Sequence, residues 1–381
     1  MRRLNVARRT LLAVPPAVRR ARRQEVVGGA GVNLVSWTPV MHQSARSVQE
    51  VLVSGVRTAG REFQWVPTGL DGDRSHGAEV IYPSTIAHMA PGNVPVIAAA
   101  IPKVLSRNRF VASVCYWETQ DVKRVHVSGM PLVDEIWTIS SFCAQGFEQI
   151  TAKPVRVIPY PLPASQGAPG IVRQHLGLSD EYVVGFQFDA MSTLARKNPE
   201  AVICAYRAAF PKVRNDTVLV IKTVNLVVEP GARATLETAA LGRPDIRIID
   251  EFWPREINDS FSVDIDCYVS LHRAEGLGIG MGAAMAAGTP VIATGYSCHL
   301  DFMSDTDAIL IPYRLVPVGE HQYYNPKSMW AEPDVDAAAD ALRLLRDDAE
   351  LRRNLGERGR VAVGGYTIDA LGRWMNLHLP H

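Results

Sequence analysis

Apolar positions along the chain fall into two alternating kinds of stretch: short continuous runs, and longer segments with helical spacing. Gly31–Trp37 is the first apolar run and reads as a strand. Gln43–Ala59 follows with Val48, Val51, Leu52 and Val56 at the spacing of an amphipathic helix, closed by Gly60. Further strands are expected at Glu79–Tyr82, Val94–Ala98, Phe110–Tyr116, Asp134–Ile139 and Pro154–Ile158. Pro159–Gly170 is rich in proline and glycine without apolar periodicity and reads as a linker. A second series then begins with a strand at Tyr182–Phe188 and a loop from Asp189 to Arg196. Asn198 is placed to cap a helix that has Pro199 at its first position and Val202, Ile203, Tyr206 and Phe210 on one face. Strands at Thr217–Ile221, ending at Lys222, and at Ile246–Ile249 come next, and helices at 337–345, 351–361 and 368–377 end the chain. Strands alternating with helices predict parallel sheets covered on both faces, an α/β protein.

One stretch is more specific. Cys267–Leu271 suits a buried strand, His272–Gly278 is a polar, glycine-rich turn, and Ile279–Ala287 is a short helix stopped by Gly288. Pro290–Ala293 is the next parallel strand. A turn of this kind, at the carboxyl end of a parallel strand and opening a helix, is where α/β sheets hold ligands. Gly276 and Gly278 let the backbone come close to a ligand, and the N–H groups of the helix start suit a phosphate. Glu275 stands at the mouth, where a carboxylate accepts hydrogen bonds from hydroxyls.

Composition narrows the class. A chain of 381 residues can hold two domains, and 47% hydrophobic with 21% charged residues describes a soluble globular protein. A net charge of +1 gives no reason to expect nucleic acid. The five cysteines (Cys115, Cys143, Cys204, Cys267 and Cys298) lack metal-ligand spacing and read as reduced, buried thiols of a cytoplasmic protein. No run approaches the length of a membrane span. Met1–Gln24 carries eight arginines and no acid. Its apolar centre is broken by Pro15-Pro16 and followed by Arg19–Arg23, which argues against an export signal. It reads as a disordered basic tail, with contact to anionic lipid on the inner face of the cell membrane as the sharper alternative.

Glu275-Gly-Leu-Gly, followed by Ala284-Met-Ala-Ala-Gly-Thr-Pro-Val-Ile-Ala-Thr-Gly-Tyr-Ser297, resembles the donor-site signature of the family 4 retaining glycosyltransferases. Asp189–Pro199 resembles the first loop of their donor domain, and Gly31-Val-Asn-Leu, Ser44-Ala-Arg46 and Leu132–Phe142 resemble their acceptor domain. The resemblance implies a GT-B fold, two Rossmann-like domains facing across a cleft. Its parts are a basic tail (1–24), an acceptor-side domain (25–162), a donor domain (163–365) and a last helix (366–381) crossing back to the first domain. It further implies transfer of a sugar, of hexosyl type, from a nucleotide-sugar donor to a glycan or lipid-linked acceptor. The anomeric configuration is retained, without metal or other cofactor. In the family a glutamate contacts the donor sugar, and that position is Glu275. A second, after seven intervening residues, contacts the ribose, and here it is Ala283, in a helix weakened again by Gly280 and Gly282.

Each candidate residue has a plainer reading beside this one. Lys197, before a helix N-terminus, is placed to hold the donor diphosphate or is a solvated lysine; Arg196 is its weaker partner. Lys222 at a strand end is a second phosphate contact or an ordinary surface charge. Glu275 contacts the sugar or pairs with Arg273. Gly276, Leu277 and Gly278 receive phosphate or sugar oxygens, while Ser297, Cys298 and His299 border the donor. Tyr116, Trp117 and Glu118 line the acceptor side, unless the two rings are core and Glu118 caps a helix from Gln120. His42 and His88 read as loop histidines, more often structural than catalytic. No metal-ligand pattern is present, Asp264-Ile-Asp266 reading as a turn. One well-placed carboxylate, where retaining glycosidases use two about 5 Å apart, suits a front-face transfer in which the leaving phosphate oxygen takes the acceptor's proton. The other readings kept open are a non-catalytic nucleotide- or glycan-binding relative, favoured by Ala283, and a nucleotide-sugar epimerase.

Overall fold

The computed structural model describes residues 30–36, 43–66, 80, 82–95, 109–162, 167–321 and 323–380. Met1–Gln24, His42 and the last three residues of the expected strand Val94–Ala98 lie outside them. The chain divides into two compact units, residues 1–161 with 366–381, and residues 162–365.

The first unit is built on the parallel strands β1 (Val32–Ser36), β2 (Phe63–Val66), β3 (Ser84–His88), β4 (Phe110–Val114), β5 (Glu135–Thr138) and β6 (Val155–Val157). Their order is β2-β1-β3-β4-β5-β6. β1 and β3 are buried throughout, as a sheet covered on both faces requires. Of the strand expected at Glu79–Tyr82, Glu79 and Ile81 lie outside the described residues, and the carbonyls of Val80 and Tyr82 accept from Arg109; the described strand is Ser84–His88. Asn33, in the middle of β1, donates to the Ser84 carbonyl (3.0 Å) and to Thr85 Oγ1 (3.2 Å), which satisfies the buried threonine. His88 therefore ends a buried strand and is not a loop residue. Val94 and Pro95 lie in a helical turn, not a strand, and β2 was not anticipated. The helix Gln43–Thr58 buries Val48, Leu52 and Val56 against the sheet. The helix Ile368–His378 belongs to this unit as well. Trp374 packs edge-on against Trp137 of β5 at 4.8 Å, and Arg61 binds the carbonyls of Leu379 (3.1 Å) and Pro380 (2.7 Å).

The second unit holds β7 (Tyr182–Asp189), β8 (Thr217–Val224), β9 (Ile246–Asp250), β10 (Cys267–Ser270), β11 (Val291–Thr294) and β12 (Ile309–Ile311), all parallel. Their order is β12-β11-β10-β7-β8-β9, so the direction of winding reverses between β7 and β10. The helix Pro199–Ala209 buries Val202, Ile203 and Tyr206, with Phe210 buried just past its end. β8 is buried over its whole length and continues to Val224, which puts Lys222 inside the strand instead of at its end. Helices at Ala232–Ala240 and Arg255–Asp264 and an antiparallel pair, β13 (Tyr313–Pro317) and β14 (Met329–Pro333), carry no periodicity that announced them. Asp264 ends a helix instead of forming a turn. Its carboxylate accepts from the backbone N–H groups of Gly170 (2.5 Å) and Val172 (2.6 Å), while Asp266 pairs with Arg173 (2.7 Å). Cys204 is exposed, against expectation; the other four cysteines are buried. Among the described residues no helix is long and apolar enough to cross a membrane.

Candidate functional site

The reversal between β7 and β10 leaves their two C-terminal loops side by side, with no crossing helix between them. That is the position at which an open parallel sheet forms a ligand crevice. After β7, Asp189 Oδ1 accepts from Met191 N (2.9 Å) and starts a single 3₁₀ turn, Ala190–Ser192. A four-residue helix, Leu194–Lys197, follows between two left-handed residues, Thr193 (φ 67°) and Asn198 (φ 54°). Asparagine tolerates this region, but for the β-branched Thr193 it is strained, a feature that concentrates at binding sites. Asn198 occupies the cap position before Pro199, yet its side chain makes no cap. Its amide instead donates across the crevice to the Leu271 carbonyl at 2.9 Å.

Further bonds join the two loops. Arg273 N donates to the Arg196 carbonyl (2.8 Å), and Arg196 Nη1 donates to the Ala274 carbonyl (2.8 Å). Glu275 then lies against both cations of the β7 loop: Lys197 Nζ is 2.5 Å from its Oε1 and Arg196 Nη1 3.3 Å from its Oε2. Arg273 does not pair with Glu275; it forms a two-pronged bond with Glu332 (2.7 and 3.1 Å). Ser297, at φ 91°, accepts from Glu275 N through its Oγ at 3.0 Å, so it holds the carboxylate's backbone. Gly276, Leu277 and Gly278, the turn expected to receive phosphate or sugar oxygens, are buried. Gly278 (φ 81°) has Met281 so close that an added Cβ would lie 2.7 Å from its Cε. Gly280 and Gly282, helix-weakening in sequence, are dictated by packing. A side chain at 280 would collide with the Tyr268 hydroxyl, and one at 282 would lie 2.6 Å from Leu162.

Burial alone would raise the Glu275 carboxyl, but the charges of Lys197 and Arg196 outweigh it and bring it down to about 2, from an ordinary 4.5. A carboxylate depressed on folding contributes stability that is present above about pH 4.5 and lost as pH falls toward 2. A shift of this size corresponds to about 3 kcal/mol. Chemical denaturation of wild type and Glu275→Gln should therefore give a stability difference at neutral pH that shrinks between pH 4.5 and 2. A difference constant across that window would contradict the pairing.

Other expected site residues are placed differently. Lys222 is almost fully buried, donates to the Thr223 carbonyl (3.2 Å) and lies over the Trp253 ring at 5.0 Å. Burial pushes its ammonium down to about 8 despite Asp250, Glu251 and Asp189 nearby, so it is neither a strand-end nor a surface charge. His299 does not border an open site. It is fully buried, edge-on to His272 at 4.9 Å, and held well below the usual histidine range first by burial and then by His272. Cys298 is buried beside it. His272 itself, unremarked in the sequence, is fixed between Ser270 Oγ (2.9 Å) and the Tyr296 carbonyl (3.2 Å), and burial takes it down to about 4. In the first unit Tyr116, Trp117 and Glu118 are half-buried after β4. Trp117 packs on the core and against His126 (4.9 Å), and no helix begins at Gln120 for Glu118 to cap. His88 is buried, which lowers it to about 4, with Nδ1 3.4 Å from Ser36 Oγ. Among the described residues no group of three or more His, Cys, Asp or Glu side chains could hold a metal ion.

No protein-family model matches the chain, and no curated protein matches it. Solved structures do. HepE of Anabaena, in complex with UDP and glucose, superposes with a TM-score of 0.65 at 12% identity, covering 91% of this chain and 98% of that one. Sucrose-phosphate synthase of Thermosynechococcus elongatus gives 0.65 at 15% identity over 91% and 98%. TarM of S. aureus gives 0.55 at 16% identity over 77% of this chain and 55% of its own, so the chain spans about half of that larger protein. These relatives have the GT-B fold, and the two parallel six-stranded sheets described above match it.

Proposed function

We propose that the chain is a glycosyltransferase that takes a sugar from a nucleotide-sugar donor, with retention at the anomeric carbon and without a metal ion. The observation that carries this reading is the cluster of Lys197, Arg196 and Glu275 at the reversal point of the second sheet. Breaking the bond between the sugar and the diphosphate leaves negative charge on the departing phosphate. Two fixed cations and the N–H groups at the start of the helix Ile279–Ala287 stabilise that charge without reorganising. Lys197 is the more exposed of the two cations and the one that meets the diphosphate; Arg196, almost buried, sets the potential behind it. Glu275 accepts from the sugar hydroxyls. Glu275 is the carboxylate that the described residues place against both cations, which suits a transfer in which the new bond forms on the face the diphosphate leaves. The acceptor's proton passes to the leaving phosphate oxygen. A glycan or lipid-linked alcohol is the acceptor class, and the UDP and glucose bound by HepE make UDP-glucose the first donor to assay.

Ala283 favours a second reading, a binder without turnover. It stands half-buried in the helix Ile279–Ala287 where the resemblance puts a ribose-binding glutamate. A charge-assisted hydrogen bond contributes about 1.5–3 kcal/mol. Ala283→Glu is therefore expected to tighten nucleoside diphosphate binding about ten- to a hundredfold in calorimetry, without abolishing transfer. Unchanged affinity would mean that no ribose lies beside residue 283. Release of labelled sugar from a panel of nucleotide sugars separates the enzyme from the binder.

A further inference from the structure

The residue that ties this site together is absent from the donor signature. Arg273 sits two residues before Glu275 and touches two separate segments. Its Nη1 donates to the Ala195 carbonyl at 2.6 Å, in the short helix that carries Arg196 and Lys197. Its Nε and Nη2 bind Glu332 of β14, and its guanidinium lies 5.6 Å over the ring of Trp330 on the same strand. Its backbone carbonyl accepts from Ala331 N (2.9 Å). The antiparallel pair also reaches the far side of the site, where Tyr313 packs on Tyr296 at 5.2 Å, one residue before the Ser297 that holds Glu275. The β13–β14 pair thus supports both loops that flank Glu275.

The geometry points to Arg273 as a positioning residue: gripped by Glu332, it fixes the 194–197 helix against the 272–278 loop and so sets the separation of Lys197 from Glu275. The inference rests on the donor-site reading above, because the separation matters for catalysis only if those two groups meet a diphosphate and a sugar. A planar guanidinium is needed to reach the Ala195 carbonyl and both Glu332 oxygens at once, which lysine cannot do.

The test compares Arg273→Gln, Arg273→Lys, Glu332→Gln and the Arg273→Gln/Glu332→Gln double variant, with UDP-glucose as the probe donor. Two measurements are made: steady-state kinetics, and NMR titration of the Glu275 carboxyl. Misplacement of reacting groups should lower kcat between about tenfold and a hundredfold in Arg273→Gln with KM nearly unchanged. Arg273→Lys should not rescue it, and the double variant should be no worse than Arg273→Gln alone. The Glu275 carboxyl should titrate higher than in wild type as its cations draw away. Glu332→Gln, which only loosens the guanidinium, should show the same changes in milder form, and it carries the test if Arg273→Gln does not fold. Folded variants with unchanged kcat and an unchanged Glu275 titration would overturn the proposal. If wild type turns over no UDP-glucose, the titration still decides: a higher Glu275 value upholds the positioning role while the donor reading falls, and an unchanged one overturns it.

Discussion

Glu275→Ala is expected to abolish sugar transfer while leaving nucleoside diphosphate binding intact. The carboxylate is the group aimed at the donor's hydroxyls, whereas Lys197 and the helix N–H groups meet the phosphates. Its removal has a second consequence. Arg196 is buried and Lys197 partly so, and without Glu275 both lose the carboxylate that offsets their charge. Leaving buried charge uncompensated in this way costs about 3–5 kcal/mol. A diphosphate supplies the missing negative charge, so added UDP should raise the melting temperature of Glu275→Ala by more than it raises that of wild type. Thermal shift with and without UDP, beside a transfer assay, checks both parts. A variant that still transfers sugar would remove Glu275 from the chemistry.

Lys197→Ala is expected to lower kcat about a hundredfold or more, the usual loss for one preorganised electrostatic contact to developing charge. The protein should remain folded, because Glu275 keeps Arg196 at 3.3 Å as a partner. Lys197→Arg should recover part of the rate, since it restores charge in a different shape. Wild-type kcat in a folded Lys197→Ala protein would make the residue a structural counter-ion of Glu275 and nothing more.

The unit from Cys267 to Thr294 was legible because its signals are local. An apolar run, a glycine turn and Gly288 in the left-handed conformation after Ala287 each follow from neighbouring residues. Lys197 and Glu275 could be nominated as candidates for the same reason, each at a loop following a strand of the expected kind. What the sequence could not convey was their direct pairing, which depends on β7 and β10 becoming neighbours. Other misses share that cause. The amide of Asn198 turns to Leu271, 73 residues on, because the neighbouring strand offers a carbonyl there. Arg273 finds Glu332 through β14, which its own composition does not mark as a strand. The strand Ser84–His88 is written partly in polar letters, and Asn33 of another strand bonds the Thr85 hydroxyl and the Ser84 carbonyl. Lys222 and His299 looked like rim residues in sequence. The continuation of β8 to Val224 buries the first, and packing on His272 buries the second.

If the β7 and β10 loops form the seat of a nucleotide-sugar donor, both the nucleotide and the sugar must contribute to binding there. The measurement that tests it most directly is calorimetric titration of UDP-glucose into wild type, Glu275→Ala and Ala283→Glu, with free UDP as the reference ligand. Wild type should bind both ligands, Glu275→Ala should keep UDP and lose the added affinity contributed by the sugar, and Ala283→Glu should bind both more tightly. No heat from either ligand in any of the three proteins would contradict it.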